Sequence, residues 1–266
     1  MWTAGREAGM NQSQAVADFI FDRLPEPPLY ALILGSGLGQ FTAKLQESIQ
    51  IPYTDIPNYP LSSVAGHAGE WIFGYMNEKP IICASGRFHY YEGLSLDEVS
   101  LPVSIIHLLG CQILFITNAA GCLNIEWELG ELMLIRGYLD YTFRENSDPP
   151  EIVPFDRNTI NHNIIKCDAS DLGILLKEGI YTWTLGPSYE TPAEIQDIIS
   201  LGGNAVGMST VPEIMKAEEL GLEVIGISCL TNYGAGLYDD ILSHENILNI
   251  TKNVHENIFR LLLKII

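Results

Sequence analysis

Arg87, His89 and Tyr91 alternate along the segment Gly86-Arg87-Phe88-His89-Tyr90-Tyr91-Glu92-Gly93, just after the apolar run Ile81-Ile82-Cys83-Ala84. In extended or sharply turned backbone, alternating side chains project the same way. The three are therefore expected to line one wall of a site. Arginine suits an oxyanion such as phosphate, because its planar fork donates two parallel hydrogen bonds and keeps its charge. Such a cluster stands out in a chain of formal net charge −19, with 33 Asp and Glu against 14 Lys and Arg.

Other segments carry residue types that fit the same kind of site. Leu34-Gly35-Ser36-Gly37-Leu38-Gly39 is a glycine-rich turn after an apolar run. Its N–H groups and the Ser36 hydroxyl suit a small anion. The glycine spacing is wrong for a dinucleotide fingerprint, and no Lys-Ser/Thr follows to make a P-loop. Taken alone it is equally a tight turn. His67, between small residues in Gly66-His67-Ala68-Gly69, is free to approach a ligand or to sit on the surface. Thr117-Asn118-Ala119-Ala120-Gly121 closes an apolar strand, where small residues let a ligand approach the backbone or merely relieve crowding.

Further along, Tyr189 and Glu190 stand between a strand and a helix start, where tyrosine can stack on a flat ring and glutamate can accept from a donor edge. Ser209, in Val206-Gly207-Met208-Ser209-Thr210-Val211-Pro212-Glu213, reads as a helix N-cap whose hydroxyl can also face an anion. Met208 beside it fits a sugar face or the core. Asn232, in Leu230-Thr231-Asn232-Tyr233-Gly234, both donates and accepts, and equally fits a turn. His244 opens the last helical stretch.

The elements that must position these residues alternate between short β-like runs and helical patterns. Strands are expected at 29–34, 70–76, 80–84, 112–117, 131–139, 180–185, 204–208 and 223–230, and helices at 96–109, after Thr191, after Ser209 and at 244–266. Thr191-Pro192-Ala193-Glu194 has a hydroxyl cap, a proline at the first helical position and an acid in the first turn. The alternation implies an α/β fold, with a mostly parallel or mixed central β-sheet flanked by helices. Residues 1–10 read either as a disordered leader or as a stretch before a true start at Met10, and 11–266 as a single domain. Residues 141–171, rich in Asn, Asp and Pro, read as a surface excursion or interface loop, not a domain linker.

Composition narrows the function. The chain has 266 residues, 47% of them hydrophobic, and a mean hydropathy of +0.14, ample for a buried core. Its acidity argues against nucleic acid or an anionic membrane as partner. No apolar run approaches the roughly 20 residues of a membrane helix, and the N-terminus lacks a secretory h-region. The five cysteines include no C-x-x-C and no zinc spacing, so they read as reduced, mostly buried thiols of a cytoplasmic protein.

In order, the motifs LGSGLG, GHAGEWIFG, GRFHYYEG, TNAAGCLN, GPSYETPAEI, VGMSTVPE and LTNYGAG resemble those of the trimeric, low-molecular-mass purine nucleoside phosphorylases. The resemblance runs from about Leu29 to Asn246 and is weakest between Tyr141 and Glu178. It implies a nucleoside phosphorylase fold and a homotrimer. It also implies cleavage of purine nucleosides by inorganic phosphate, a co-substrate, with no metal or organic cofactor. Ser36, His67, Arg87, His89, Ala119 and Ser209 would hold phosphate; Tyr91, Met208 and His244 the ribose; and Tyr189, Glu190 and Asn232 the base. Asn232, Glu190 and His89 would carry the catalysis.

Relatives that prefer methylthioadenosine have an aspartate where Asn232 stands. The asparagine therefore implies 6-oxopurines such as inosine and guanosine, with their deoxy forms. The chain departs from the family at Cys122, where glycine is usual, and after Leu134-Ile135-Arg136, where a long loop is shortened. In relatives that loop lends an aromatic to a neighbouring subunit; Phe143 or Phe155 would serve here. The competing readings are a methylthioadenosine or methylthioinosine phosphorylase, a non-catalytic purine- or phosphate-binding relative and, more distantly, a NAD-dependent oxidoreductase.

Overall fold

The computed structural model describes residues 2–35, 38–62, 68–144, 148–155, 162–238 and 244–266, with the backbone alone at 2–11, 40, 244–253 and 255. Along the chain run α1 (Trp2–Phe21), β1 (Tyr30–Leu34), β2 (Gln46–Pro52), β3 (Glu70–Met76), β4 (Lys79–Ser85), α2 (Leu96–Val99), α3 (Leu101–Leu108) and β5 (Ile113–Cys122). Then follow β6 (Leu132–Asp140), β7 (Val153–Pro154), α4 (His162–Asp171), β8 (Leu176–Trp183), α5 (Pro192–Ser200), β9 (Ala205–Gly207), α6 (Val211–Leu220), β10 (Glu223–Tyr233) and α7 (His244–Ile265). The α/β class expected from the alternation is what the chain adopts. The helix α1 begins within the stretch where a leader is expected.

Two compact units divide the chain: Met1–Ile116 with Pro212–Val224, and Thr117–Val211 with Ile225–Ile266. In the first, β1 pairs in parallel with both β4 and β5. These strands are short apolar runs, fully buried over Ala31 to Ile33 and Ile81 to Ala84, as expected of parallel strands covered on both faces. The antiparallel pair β3–β4 turns through Asn77 and Glu78, both at positive φ. That is the geometry a two-residue hairpin demands. At the edge, β2 pairs antiparallel with β3. Only Ile49 and Ile51 alternate inward and the rest of the strand is exposed, so its apolar signal is too short to stand out. Helix α1 packs on α3, burying Val16, Ala17 and Ile20.

The helix expected over 96–109 is two. It breaks at Ser100, whose N–H and hydroxyl both turn back to the Leu96 carbonyl. Pro102, near the start of α3, has no N–H to give to the carbonyl four residues earlier, so one continuous helix loses a bond there.

The second unit has its own mixed arrangement. Strands β6–β8 and β8–β9 are parallel; β10–β6, β5–β9 and β6–β7 are antiparallel. Two strands outrun the expected ends. β5 continues through Cys122 and β10 through Tyr233, so Asn118, Ala119 and Asn232 sit in strand, not in the turns beyond. Within the excursion expected at 141–171, α4 is regular and buries His162, Ile165 and Ala169.

Candidate active site

Gly86 ends β4 at φ 142, and a Cβ there would lie 3.0 Å from the Gly69 backbone nitrogen. Only glycine permits this approach. The turn carries Arg87 inward, where it is 2% exposed. Its Nε and Nη2 each donate to a Glu213 carboxylate oxygen at 2.9 Å, and Glu213 is 1% exposed. The fork expected to face an oxyanion thus has one edge on a carboxylate 126 residues away. This is a charge-assisted bidentate pair, the strong kind.

His89 has a carboxylate too. Its backbone N–H donates to Glu92 Oε1 at 2.8 Å, and its Nδ1 lies 3.3 Å from the same atom. Ser62 Oγ donates to Glu92 Oε2 at 3.1 Å, and Tyr91 stacks on the imidazole with ring centroids 4.8 Å apart. His89 and Tyr91 do share a side, as alternation implies. The basic cluster is therefore neutralised locally, which reconciles it with a strongly acidic chain. Ser36 and His67 lie outside the described residues. The sequence signal for Glu92 was there to read: an acid three residues after His89 is capping-box spacing, and both reciprocal bonds form. Glu213 gave no signal beyond its place in the first turn of α6.

The second unit carries the other candidates. Ala119 is the exposed residue of a strand otherwise buried or half-buried. Ser209 is buried, and its Oγ lies 3.2 Å from Thr210 Oγ1. Position 209 is not the N-cap: α6 starts at Val211, and Thr210 precedes it at φ 76.

Glu190 is half-buried, and Thr184 Oγ1 donates to its Oε1 at 2.6 Å. The Thr184 N–H donates to the Gly207 carbonyl at 2.9 Å, beside half-buried Met208. Thr184 thus ties Glu190 to the end of β9, a link six residues distant in sequence that no motif announces. The reciprocal capping box of Thr191 and Glu194 fixes the start of α5 immediately after Glu190. Such a cap contributes about 1 kcal/mol. Tyr189 is 82% exposed, open to stack on a flat ring.

Asn232 is exposed near the end of β10. Thr231 Oγ1 donates to its Oδ1 at 3.0 Å, and its Nδ2 donates to the Tyr233 carbonyl at 3.1 Å. An amide nitrogen carries two N–H groups, so one remains for a ligand. A Cβ on Gly121 would sit 3.1 Å from Val206 Cγ1 and 3.5 Å from Asn232 Nδ2. A side chain there would press first on Val206 and would touch the amide. The side chain of His244 lies outside the described residues.

Of the two aromatics considered for a neighbouring subunit, Phe155 is buried edge-on against Tyr138. Phe143 is 45% exposed, in a left-handed turn at φ 52. Its inner neighbour Tyr141 meets it edge-on and donates to Asp197 at 2.7 Å. Burial, then that bond, pushes Tyr141 up to about 12. Cys83, Cys111, Cys122 and Cys229 are buried free thiols, and Cys167 is an exposed one. Burial pushes Cys111 and Cys229 each up to about 12, which makes them poor nucleophiles. Among the described residues, no group of three or more His, Cys, Asp or Glu could hold a metal ion, and no helix is long and apolar enough to cross a membrane.

Comparison with known proteins places this geometry. Residues 29–266 match the model of the phosphorylase superfamily. The chain is 40% identical over 260 residues to purine nucleoside phosphorylase 1 of Geobacillus stearothermophilus, covering 93% of each. It is 38% identical over 256 residues to the Rattus norvegicus purine nucleoside phosphorylase, covering 90% of this chain and 88% of that one. Among solved structures, Schistosoma mansoni purine nucleoside phosphorylase with inosine superposes at a TM-score of 0.84 and 32% identity, over 96% of this chain and 95% of the other. The same enzyme with adenosine gives 0.83 at 32% identity, over 96% of both. Both the residue geometry and these matches lead to one assignment: the chain belongs to the phosphorylase superfamily, in its purine nucleoside phosphorylase family.

Proposed function

We propose that this chain is a purine nucleoside phosphorylase that cleaves 6-oxopurine ribo- and deoxyribonucleosides with inorganic phosphate, giving free base and pentose 1-phosphate. One observation carries the reading. An amide on β10 and a carboxylate tethered to β9 present opposite hydrogen-bonding characters. Glu190 can accept from the ring N–H of hypoxanthine or guanine, and from the guanine amino group. Asn232 has one N–H to share between the purine carbonyl and the imidazole-ring nitrogen.

The chemistry follows from those characters. The bond from the sugar's anomeric carbon to the purine breaks, its electron pair entering the base, while a phosphate oxygen bonds to that carbon from the opposite face. Positive charge builds on the sugar and negative charge on the purine. A donor at Asn232 strengthens as the base becomes anionic, so it acts on the transition state more than on bound substrate. Arg87, His89, Ser209 and the backbone at Ala119 hold phosphate, joined by Ser36 and His67. Tyr91, Met208 and His244 hold the ribose, and Tyr189 covers the base. The reaction needs no metal or organic cofactor, since phosphate itself captures the sugar.

The working form is a homotrimer in the cytoplasm, with exposed Phe143, rather than buried Phe155, as the aromatic lent to a neighbour. Buried free thiols suit that reducing compartment.

Two structural neighbours of the same enzyme hold inosine and adenosine respectively, so substrate preference must be measured on this chain. Side-by-side phosphorolysis is expected to run at least tenfold faster in kcat/KM on inosine than on adenosine. Faster turnover of adenosine would overturn the 6-oxopurine assignment and favour the methylthioadenosine-type reading.

A further inference from the structure

Thr210 stands at φ 76, a left-handed conformation that a β-branched residue rarely adopts. Strain of this kind persists only where the surroundings over-determine it, and it clusters at functional sites. Here it has a local consequence. Side chains of consecutive residues in extended backbone diverge, but this turn brings the Ser209 and Thr210 hydroxyls to 3.2 Å. Asn118 Nδ2, from β5, donates to the same Thr210 oxygen at 3.0 Å. All three side chains are buried, Asn118 and Thr210 to 1% exposure each.

An amide N–H can only donate, so Thr210 Oγ1 accepts from Asn118. Ser209 Oγ is the other side-chain polar atom within reach of that hydroxyl among the described residues. Were Ser209 to donate to Thr210 as well, the buried Thr210 proton would have no acceptor, a costly arrangement. The arrangement that gives the Thr210 proton an acceptor runs Asn118 to Thr210, Thr210 to Ser209, with the buried Asn118 Oδ1 left without a partner among the described residues. In this sense Ser209 Oγ accepts from Thr210, so its own proton turns away from Thr210. A serine polarised in this sense suits an anion, whereas the reverse sense would present lone pairs to it.

We propose that Asn118 and Thr210 are positioning residues that fix the Ser209 hydroxyl as a donor to phosphate. The inference rests on the reading of Ser209 as a phosphate ligand. It adds two residues that touch neither phosphate nor nucleoside, and it assigns a purpose to the Thr210 strain.

The test is steady-state kinetics of inosine phosphorolysis, with phosphate and inosine varied separately, on Ser209→Ala, Thr210→Val, Thr210→Ser and the Ser209→Ala/Thr210→Val double variant. Thr210→Val keeps the β-branched shape and removes the relay. It is expected to raise the KM for phosphate about tenfold, the scale of one hydrogen bond to a charged group, with the KM for inosine changed less than twofold. Thr210→Ser is expected to restore most of the phosphate affinity. The double variant should be no worse than Ser209→Ala alone, because both changes remove one interaction.

A Thr210→Val enzyme with unchanged phosphate KM, or a double variant whose losses multiply, overturns the relay while leaving the proposed function standing. A Thr210→Val loss shared equally between phosphate and inosine marks a merely structural role and also overturns it. A wild-type protein with no phosphate-dependent turnover removes the functional reading and the relay together. Melting curves of each variant separate unfolding from loss of binding.

Discussion

Replacing Asn232 by alanine is expected to lower kcat on inosine by roughly a hundredfold or more. A preorganised donor aimed at developing charge contributes about 3–4 kcal/mol to the transition state, and each 1.36 kcal/mol is tenfold in rate. The KM should move far less, because the neutral purine in the ground state calls on that donor weakly. Asn232 is exposed and, among the described residues, its amide hydrogen-bonds its two chain neighbours, Thr231 and Tyr233, so removing it strands no buried partner there. Stability should be close to wild type, and a rate loss can be read as chemistry. Steady-state kinetics with a melting curve on the same preparation check both halves. An unchanged kcat would remove Asn232 from the mechanism.

Glu213→Ala should show the largest stability effect. Arg87 and Glu213 are 2% and 1% exposed and are joined by two bonds of 2.9 Å. An ion pair so buried adds little compared with an apolar pair of the same shape, but removing one partner strands the other charge, at about 3–5 kcal/mol. A guanidinium cannot shed its proton to escape that cost. In a chain of this size the loss corresponds to a fall in melting temperature of roughly 10 °C. The variant should also bind phosphate poorly, since Glu213 sets the plane of the Arg87 fork. A melting temperature within about 2 °C of wild type would show that the pair is not what holds this turn.

The chemistry of the site was far more legible in the sequence than its internal wiring. Arg87, His89, Glu190, Ser209 and Asn232 announce themselves by residue type beside glycine turns and strand ends, where local spacing carries the signal. The partners that hold them do not. Glu213 lies 126 residues from Arg87, Thr210 lies 92 from Asn118, and Thr184 is set in an apolar strand end. Each pairing is made by tertiary packing, which local pattern does not encode.

The same limit explains the elements. The buried strands around Leu32, Cys83 and Phe115 stand out as apolar runs. The edge strand β2, mostly exposed, does not, and α4 lies hidden in a polar stretch. The extra lengths of β5 and β10 escape because Asn118-Ala119 and Thr231-Asn232 have turn-like composition, yet both lie within strands that run on to Cys122 and Tyr233 and pair with each other. The break in the 96–109 stretch does have a local sign, since Pro102 disfavours an unbroken helix there.

The measurement that reaches the centre of the account is hypoxanthine release from inosine by the purified chain, followed with and without inorganic phosphate. Rapid release that requires phosphate and yields ribose 1-phosphate in equal amount is the predicted result. Release that proceeds equally well in phosphate-free buffer, giving free ribose, or binding of inosine with no release at all, would contradict it.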